Sequence, residues 1–234
     1  MRDDASAMSP LDNPVYAALR GPHRTLAQGR GRVLRYPSEF ARFIGMPDAP
    51  TARDWADLQD LLVGDPGAVM VGDLDQLPTS VTVVRSFEVV QMVADDSAGP
   101  EPASTTEVVA LTEADVPDMV ELVRRTEPGP FADRTADLGA YFGIRREGVL
   151  VAMAGQRLRP PGWTELSAVC THPDVRGQGL AGQVIAAVTQ EARERGDRLF
   201  LHVVATNTVA LEVYRRLRYR ERRRVAIAIL SNQP

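Results

Sequence analysis

The sequence is short of the residue types that mark disulfide-rich and metal-binding proteins. It contains one cysteine, Cys170, and no lysine, so all 27 basic residues are arginine. A single cysteine cannot form an internal disulfide bond, which fits a chain that works in a reducing compartment. The sequence also has no cluster of cysteine and histidine residues, and we therefore expect no bound metal.

Long apolar runs are also missing. The longest are six residues, as in Val149–Ala154 and Val225–Leu230, whereas a membrane-spanning helix needs about 20 residues. The first residues include acidic side chains and lack the apolar core of a secretory signal. We expect a cytoplasmic protein that has no membrane partner.

The segment Ala94–Thr106 is the clearest break in composition, with two prolines, one glycine and several small polar residues. Such a composition is typical of a linker. We predict an N-terminal accessory domain over residues 1–93, a linker over 94–106 and a second domain over 107–234. The first 106 residues carry 9 Arg against 15 Asp and Glu, a charge of −6, and the rest carry 18 against 16, a charge of +2. The second domain is therefore better suited to an anionic ligand.

Hydrophobic periodicity in the second domain predicts elements in the order β-α-β-β-β-α-β-α-β. This order indicates a mixed α/β fold built on one central sheet. The predicted strands are Glu107–Leu111, Tyr141–Arg146, Val149–Arg157, Glu165–Thr171, Leu199–Ala205 and Val225–Leu230, and the predicted helices are Val116–Arg125, Gly177–Arg195 and Asn207–Leu217.

The first domain is predicted to be a smaller mixed α/β unit that carries no motif with chemistry. It would serve as a packing partner of the second domain. Its predicted elements are the helices Val15–Gln28, with a break near Gly21-Pro22 as an alternative, and Ala52–Val63 and the strands Gly31–Tyr36, Ala68–Val71 and Val81–Val93.

The most informative segment is Val169–Gly182, where a predicted strand runs through a glycine-rich turn into a predicted helix. Glycines at such a junction let a ligand approach the backbone closely. The first turn of the helix has N–H groups without intrahelical partners, and they form a binding site for phosphate to which Arg176 adds a charge. The segment matches neither a Walker A loop nor a dinucleotide fingerprint. The alternative is a tight turn that simply requires glycine.

A second pattern follows on the predicted helix that begins at Asn207. Asn207 and Tyr214 are seven residues apart and would share one helix face, with the small Ala210 between them. This arrangement predicts a slot for a thin chain that ends near a phenol. The alternative is that Tyr214 is an ordinary half-buried tyrosine.

Together the two patterns resemble the GNAT superfamily of N-acetyltransferases over about residues 107–231. Arg176-x-x-Gly179-x-Ala181 matches the pyrophosphate-binding motif of that family, and Asn207-x-x-Ala210-x-x-x-Tyr214-x-x-Leu217 matches its second motif. This chain has Arg218-Tyr219 where the family usually has Gly-Phe, and its last pair of strands is shortened to one. The resemblance implies a GNAT-type mixed central sheet flanked by helices.

The first half resembles the extra domain of a GNAT subgroup that includes glycine-acyltransferase-like proteins. The residues that carry this likeness are Leu11-Asp12-Asn13-Pro14 and Arg35-Tyr36-Pro37. The likeness implies that the first half is a degenerate copy of the same fold.

The resemblance implies that acetyl-CoA, or another acyl-CoA, binds as co-substrate in a cleft between the fourth and fifth strands of the second domain. Pantetheine would pair with the backbone of the fourth strand, where the amide of Val169 would stabilise the oxyanion of the tetrahedral intermediate. The expected cofactor-binding residues are Val169, Cys170, Thr171, Arg176, Gly177, Gln178, Gly179, Leu180, Ala181, Gly182, Asn207, Ala210 and Tyr214.

Two residues are expected to be catalytic. Tyr214 would be the general acid that protonates the leaving thiolate, or would only hydrogen-bond the sulfur. Glu165 would be the general base, acting directly or through a water, because strand alternation predicts that it shares the cleft face with Val169 and Thr171. The alternative is that Glu165 ends a strand at the surface. Cys170 would lie on the opposite face as a core thiol.

The sequence therefore predicts an acyl-CoA-dependent N-acetyltransferase that acts on a primary amine of a small molecule or amino acid by direct attack in a ternary complex. The alternatives are a non-catalytic acyl-CoA-binding regulator and an enzyme that acetylates a protein N-terminus or side chain. The segment Arg215–Arg224 has seven arginines in ten residues, which we interpret as a solvated face and not a nucleic-acid site. His202 is expected in the core or cleft wall. The chain would be a monomer or a homodimer.

Overall fold

The computed structural model describes residues 9–65, 67–72, 74, 76–95 and 107–231. Residues 96–106 of the predicted linker lie outside the described residues. The helices are α1 (Pro14–Arg20), α2 (Ala52–Leu62), α3 (Val116–Thr126), α4 (Leu180–Glu194) and α5 (Thr208–Arg216). The strands are β1 (Gln28–Arg30), β2 (Val33–Arg35), β3 (Ile44–Gly45), β4 (Ala68–Gly72), β5 (Thr82–Ala94), β6 (Val109–Leu111), β7 (Tyr141–Arg146), β8 (Val149–Gln156), β9 (Trp163–Thr171), β10 (Arg198–Val204) and β11 (Tyr219–Ser231).

Eight of the strands form one sheet, in the order β4-β11-β5-β10-β9-β8-β7-β6. The other three form a small antiparallel sheet, β1-β2-β3. A parallel bridge between Phe43 and Val69 joins the segment before β3 to the edge strand β4. The pair β9–β10 is parallel, and the other pairs of the large sheet are antiparallel. The predicted mixed α/β fold with a central mixed sheet is confirmed.

The large sheet runs across the predicted boundary between the two halves of the chain. Strand β5 comes from the first half and lies between β10 and β11 of the second half. It pairs with β10 from Val89 to Val93 and with β11 along nearly its whole length. The division into 1–93, 94–106 and 107–234 stays a prediction, but the first half contributes two strands, β4 and β5, to the sheet of the second.

Helices cover both faces of this sheet. On the first face, α4 packs its apolar side against β8 and β9 through residues at helical spacing, among them Val184, Ile185 and Val188. On the second face, α3 packs Met119 and Leu122 against the same strands. The second face also receives α1 and the aromatic residues near it, which bury Phe200 of β10. The described helices include none that is long and apolar enough to cross a membrane.

Two predicted elements differ most from their bounds in the structure, each for a physical reason. The helix predicted over Val15–Gln28 ends at Arg20, because Gly21 leaves the helical conformation and Pro22 has no N–H to donate. The strand predicted over Val225–Leu230 begins earlier, at Tyr219, because β5 offers it a partner along that length. The strand predicted over Gly31–Tyr36 is one arm of the hairpin β1–β2.

Candidate active site

The predicted cleft falls where β9 and β10 stop pairing with each other. These parallel strands pair only from Trp163–Arg198 to Glu165–Phe200. Beyond that point β9 continues to Thr171 and β10 to Val204 without pairing with each other. The two strands therefore diverge, as expected for the predicted cleft between the fourth and fifth strands of the second half.

A bulge in β9 changes which side chains face the cleft. Ala168 has a positive φ of 51°, and the register with β8 shifts between Met153 and Gly155. As a result, Leu166 and Val169 both pack against the first-face core, whereas Cys170 packs against α3 on the second face. The prediction that Glu165 shares a face with Val169 and Thr171 is wrong, because the bulge shifts the alternation by one residue between them.

The segment after β9 forms an open loop at the start of α4. The Nε of Arg176 donates to the carbonyl oxygen of Thr171 at 3.3 Å. Gly177 and Gly179 have φ of 77° and 75°, in the left-handed region that favours glycine, and a Cβ at either position would meet no atom within 4 Å. Gly179 is the N-cap of α4 and provides no side-chain cap. Residues 177–179 are exposed, so a ligand can approach the loop at the start of the helix beside Arg176.

Two buried polar atoms lie on the elements that border this loop. Oγ1 of Thr171, at the end of β9, and Oε1 of Gln183, in the first turns of α4, have no hydrogen-bond partner among the described residues. An unpartnered buried polar atom costs about 1–3 kcal/mol. Either atom would be stabilised by a hydrogen-bond partner that reached it.

The second sequence pattern lies on α5. Asn207 is the N-cap of this helix, and its side-chain oxygen accepts a hydrogen bond from the Ala210 amide at 3.0 Å. Tyr214 packs against the first-face core, 5.8 Å from the ring of Tyr219 between centroids. Burial, together with the neighbouring Tyr219, raises the pKa of Tyr214 well above its usual range. Its phenol stays protonated at neutral pH and can donate a hydrogen bond, but the raised pKa makes it a weaker proton donor than a solvated tyrosine.

Glu165 is fully buried, and both of its carboxylate oxygens accept hydrogen bonds. Its oxygens accept from Nε and Nη2 of Arg157 at 2.9 and 3.0 Å, from the Leu158 amide at 3.3 Å and from Nδ1 of His202 at 2.8 Å. Burial alone would raise the pKa of this carboxyl, but the Arg157 charge and the His202 hydrogen bond lower it to about 2. The surface alternative is wrong because the exposed fraction is 0%. A carboxylate this acidic, held by four donors, is poorly suited to the predicted role of base.

His202 links Glu165 to a neighbouring strand. Its Nε2 lies 3.1 Å from Nε2 of Gln91, which also donates to the Leu11 carbonyl at 2.9 Å. Gln91 and Arg157 were not among the predicted site residues, and they reach this cluster from β5 and from directly after β8. A buried glutamine inside a valine-rich strand was the available signal, since such a side chain needs a partner.

Cys170 is a core thiol, as expected. It is buried beside Met119 and Leu122, and burial raises the pKa of its thiol to about 11. Because its side chain points to the second face while Val169 points to the first, only the Cys170 backbone can border the cleft with Val169. The described residues include no group of three or more His, Cys, Asp or Glu side chains that could hold a metal ion.

The arginine cluster is largely paired within the protein. Arg215 bridges to Glu221, Arg216 to Glu212, and Arg224 to Glu88, while Arg222 and Arg223 both reach Asp12. Charges paired in this way are less available to phosphates of a nucleic acid.

The family follows from comparison with known proteins. The family model described as FR47-like protein matches residues 141–227. A GNAT-family protein of known structure from Novosphingobium aromaticivorans is 35% identical, with a TM-score of 0.86 over 97% of this chain and 100% of that one. This chain belongs to the GNAT family, and the similarity to that relative extends over both halves.

More distant structures share the fold. A GCN5-related N-acetyltransferase from Kribbella flavida is 20% identical, with a TM-score of 0.63 over 97% of this chain and 98% of that one. A Drosophila protein is 21% identical, with a TM-score of 0.64 over 86% of this chain and 74% of that one. No curated protein shows significant sequence similarity to the chain.

Proposed function

We propose that this protein transfers an acetyl group from acetyl-CoA to a primary amine of a small molecule or amino acid. The observation that carries the proposal is the junction of β9 and α4 in a chain of the GNAT family. There, the strand leaves its neighbour β10 and leads into an exposed glycine loop beside Arg176.

The residues at this junction fit acetyl-CoA. The amides of 177–182, the positive end of α4 and the charge of Arg176 suit a pyrophosphate. The unpaired edge of β9 near Val169 and Thr171 suits the amides of pantetheine. The unpartnered Oγ1 of Thr171 and Oε1 of Gln183 would each gain a partner from such a chain. Acetyl-CoA supplies the activated acyl group, and the protein supplies the donors that hold it.

Tyr214 is the proposed general acid. A thiolate leaving group has a pKa of about 8.5, below the usual value of about 10 for tyrosine, so its protonation depends on proximity in the site. Burial raises the pKa of Tyr214 further, which increases this dependence on proximity and also suits the weaker role of a hydrogen-bond donor to the sulfur. The amide of Val169 is the proposed donor to the oxyanion.

The test is a turnover assay with the purified protein, acetyl-CoA and a panel of small amines, amino acids and a peptide with an unblocked N-terminus. Free thiol and the acetylated amine are both measured, the second by mass spectrometry. We expect thiol release with a small amine, at a rate lowered in the Arg176→Ala variant through weaker acetyl-CoA binding. Binding of acetyl-CoA without thiol release for any acceptor would contradict the proposal and favour a regulator. Acetylation of the peptide alone would assign a protein substrate instead.

A further inference from the structure

A buried polar network lies at the point where β9 and β10 separate. The last backbone pair of the two strands is Glu165 with Phe200. His202 lies two residues further along β10, and its Nδ1 is 2.8 Å from Oε1 of Glu165. A side-chain hydrogen bond thus joins the two strands at the place where their backbone hydrogen bonds stop.

The network joins four parts of the sheet. Arg157, directly after β8, holds Glu165 of β9 with two hydrogen bonds. His202 of β10 stands opposite Gln91 of β5 in the antiparallel register, and their side chains meet at 3.1 Å. The side chains of Glu165 and His202 are 0% and 4% exposed. Water therefore has little access to these contacts.

The hydrogen bonds allow one arrangement of protons. Oε1 of Gln91 accepts from Arg222, and Nε2 of Gln91 donates to the Leu11 carbonyl, so the orientation of the Gln91 amide is fixed. Nε2 of His202 must then accept from Gln91, which leaves its Nδ1 as the N–H that donates to Glu165. A network with all partners satisfied in a single arrangement is rigid.

We propose that Glu165 and His202 are positioning residues that clamp β9 to β10 and set the width of the acetyl-CoA cleft. The proposal rests on the function proposed above. The clamp fixes the start of the diverging part of β9, four residues before Val169. It thereby places the Val169 amide, which is the proposed donor to the oxyanion. Glu165 acts through the strands and not as the base.

Asp197 provides a matched control at the closed end of the same strand pair. Its Oδ2 accepts from Thr164 of β9 at 2.8 Å and from Arg159 at 3.1 Å. Asp197→Asn, like Glu165→Gln, weakens a carboxylate that joins β9 to the start of β10. The two variants differ in whether the contact borders the diverging part of the strands.

The test compares acetyl-CoA affinity by calorimetry in the full-length wild type, Glu165→Gln, His202→Phe and Asp197→Asn, with thermal unfolding measured for each. We expect all three substitutions to lower the unfolding temperature. Only Glu165→Gln and His202→Phe should weaken acetyl-CoA binding, by about tenfold, since small displacements of a positioned group have effects of this size or larger. The losses of the two single variants should add up to more than the loss in the double variant, because both single variants break the contact between Glu165 and His202.

Several results would overturn the clamp. The clamp would be contradicted if Glu165→Gln bound acetyl-CoA with wild-type affinity. If Glu165→Gln does not fold, wild-type affinity in His202→Phe would contradict the clamp by itself. A loss of acetyl-CoA affinity in Asp197→Asn as large as in Glu165→Gln would show that the network stabilises the fold in general and does not set the cleft. Loss of the acidic limb of the pH–rate profile in Glu165→Gln, with acetyl-CoA affinity unchanged, would restore Glu165 as the base. Failure of the wild type to bind acetyl-CoA would overturn the proposed function, and this role of the clamp with it.

Discussion

At the scale of single residues, burial decides the charge of His23. Its Nδ1 lies 2.8 Å from the hydroxyl of the buried Tyr36, and the residue is 7% exposed. Burial, with a smaller contribution from the charge of Arg159, lowers the pKa of His23 from 6.5 to about 4. Between these two pH values the unfolded chain therefore binds a proton at this residue that the folded chain does not.

This difference predicts a loss of stability in mild acid. Because the folded pKa lies below the unfolded one for a base, stability is fully present above pH 6.5 and falls as the pH drops to about 4. The loss due to His23 is on the order of 3 kcal/mol. Urea unfolding of the wild type and His23→Gln at pH 7, 5.5 and 4.5 measures it. His23→Gln should be less stable at pH 7 but lose less on acidification, and parallel curves would rule out His23 as the cause.

Tyr214 gives a second prediction for a single residue. Tyr214→Phe removes the proposed proton donor but keeps the ring that packs near Tyr219. General acid catalysis typically contributes 10²–10⁴-fold, so we expect kcat to fall at least about 100-fold. Acetyl-CoA affinity, measured by calorimetry, should change little. Equal losses in kcat and affinity would instead assign Tyr214 to binding.

Local spacing was sufficient to predict the loop residues and insufficient for Glu165. Arg176, Gly177 and Gly179 lie close together in the sequence, so a motif of six residues places them at one helix end. The orientation of Glu165 depends on the bulge at Ala168, which arises from the register with β8. Nothing in the alternation of β9 alone reveals that shift.

At the scale of elements, the end of α5 shows a departure from the family pattern with a structural cost. Arg218 has a φ of 62° directly after the C-cap Leu217, the left-handed position where glycine is common. The GNAT motif usually has glycine there. An L-residue in this conformation costs roughly 1–2 kcal/mol.

We therefore expect Arg218→Gly to be more stable than Arg218→Ala by about 1 kcal/mol. Both substitutions remove the arginine side chain and its interactions, so the difference between them isolates the backbone strain. Chemical denaturation of the two variants measures it. An alanine variant as stable as the glycine variant would show that the segment relaxes out of the left-handed region.

Elements of the second half were predicted well because their periodicity is strong and local. The strand β7 has the predicted bounds, and α3 differs by one residue at its end. The weaker predictions fall where a partner decides the length. Strand β11 is longer than predicted because it pairs with β5, which lies more than 120 residues away in the sequence. In addition, the arginines in the first half of β11 interrupt the hydrophobic pattern by which a strand is recognised.

At the scale of the whole molecule, β5 makes the first half part of the catalytic fold. It fills the position between β10 and β11 and contributes Val90 and Met92 to the same core as α4. Removing it would expose that core and leave β10 and β11 each without a partner on one side. A separate catalytic domain limited to residues 107–234 is therefore not expected to fold.

Two chain divisions test this dependence. A chain of residues 107–234 alone should be insoluble or lack cooperative thermal unfolding by circular dichroism. Co-expressed chains of residues 1–100 and 101–234 should instead assemble, because the cut leaves β5 intact. A cooperative, acetyl-CoA-binding fragment of residues 107–234 would contradict this account of the sheet.

The most direct test of the central claim is a crystal structure of the wild-type protein with acetyl-CoA. We expect the pyrophosphate on the amides of 177–182 beside Arg176, and the pantetheine along the open edge of β9 with the thioester near Val169 and Tyr214. Acetyl-CoA bound away from the junction of β9 and α4, or excluded from a closed gap between β9 and β10, would contradict the proposed site.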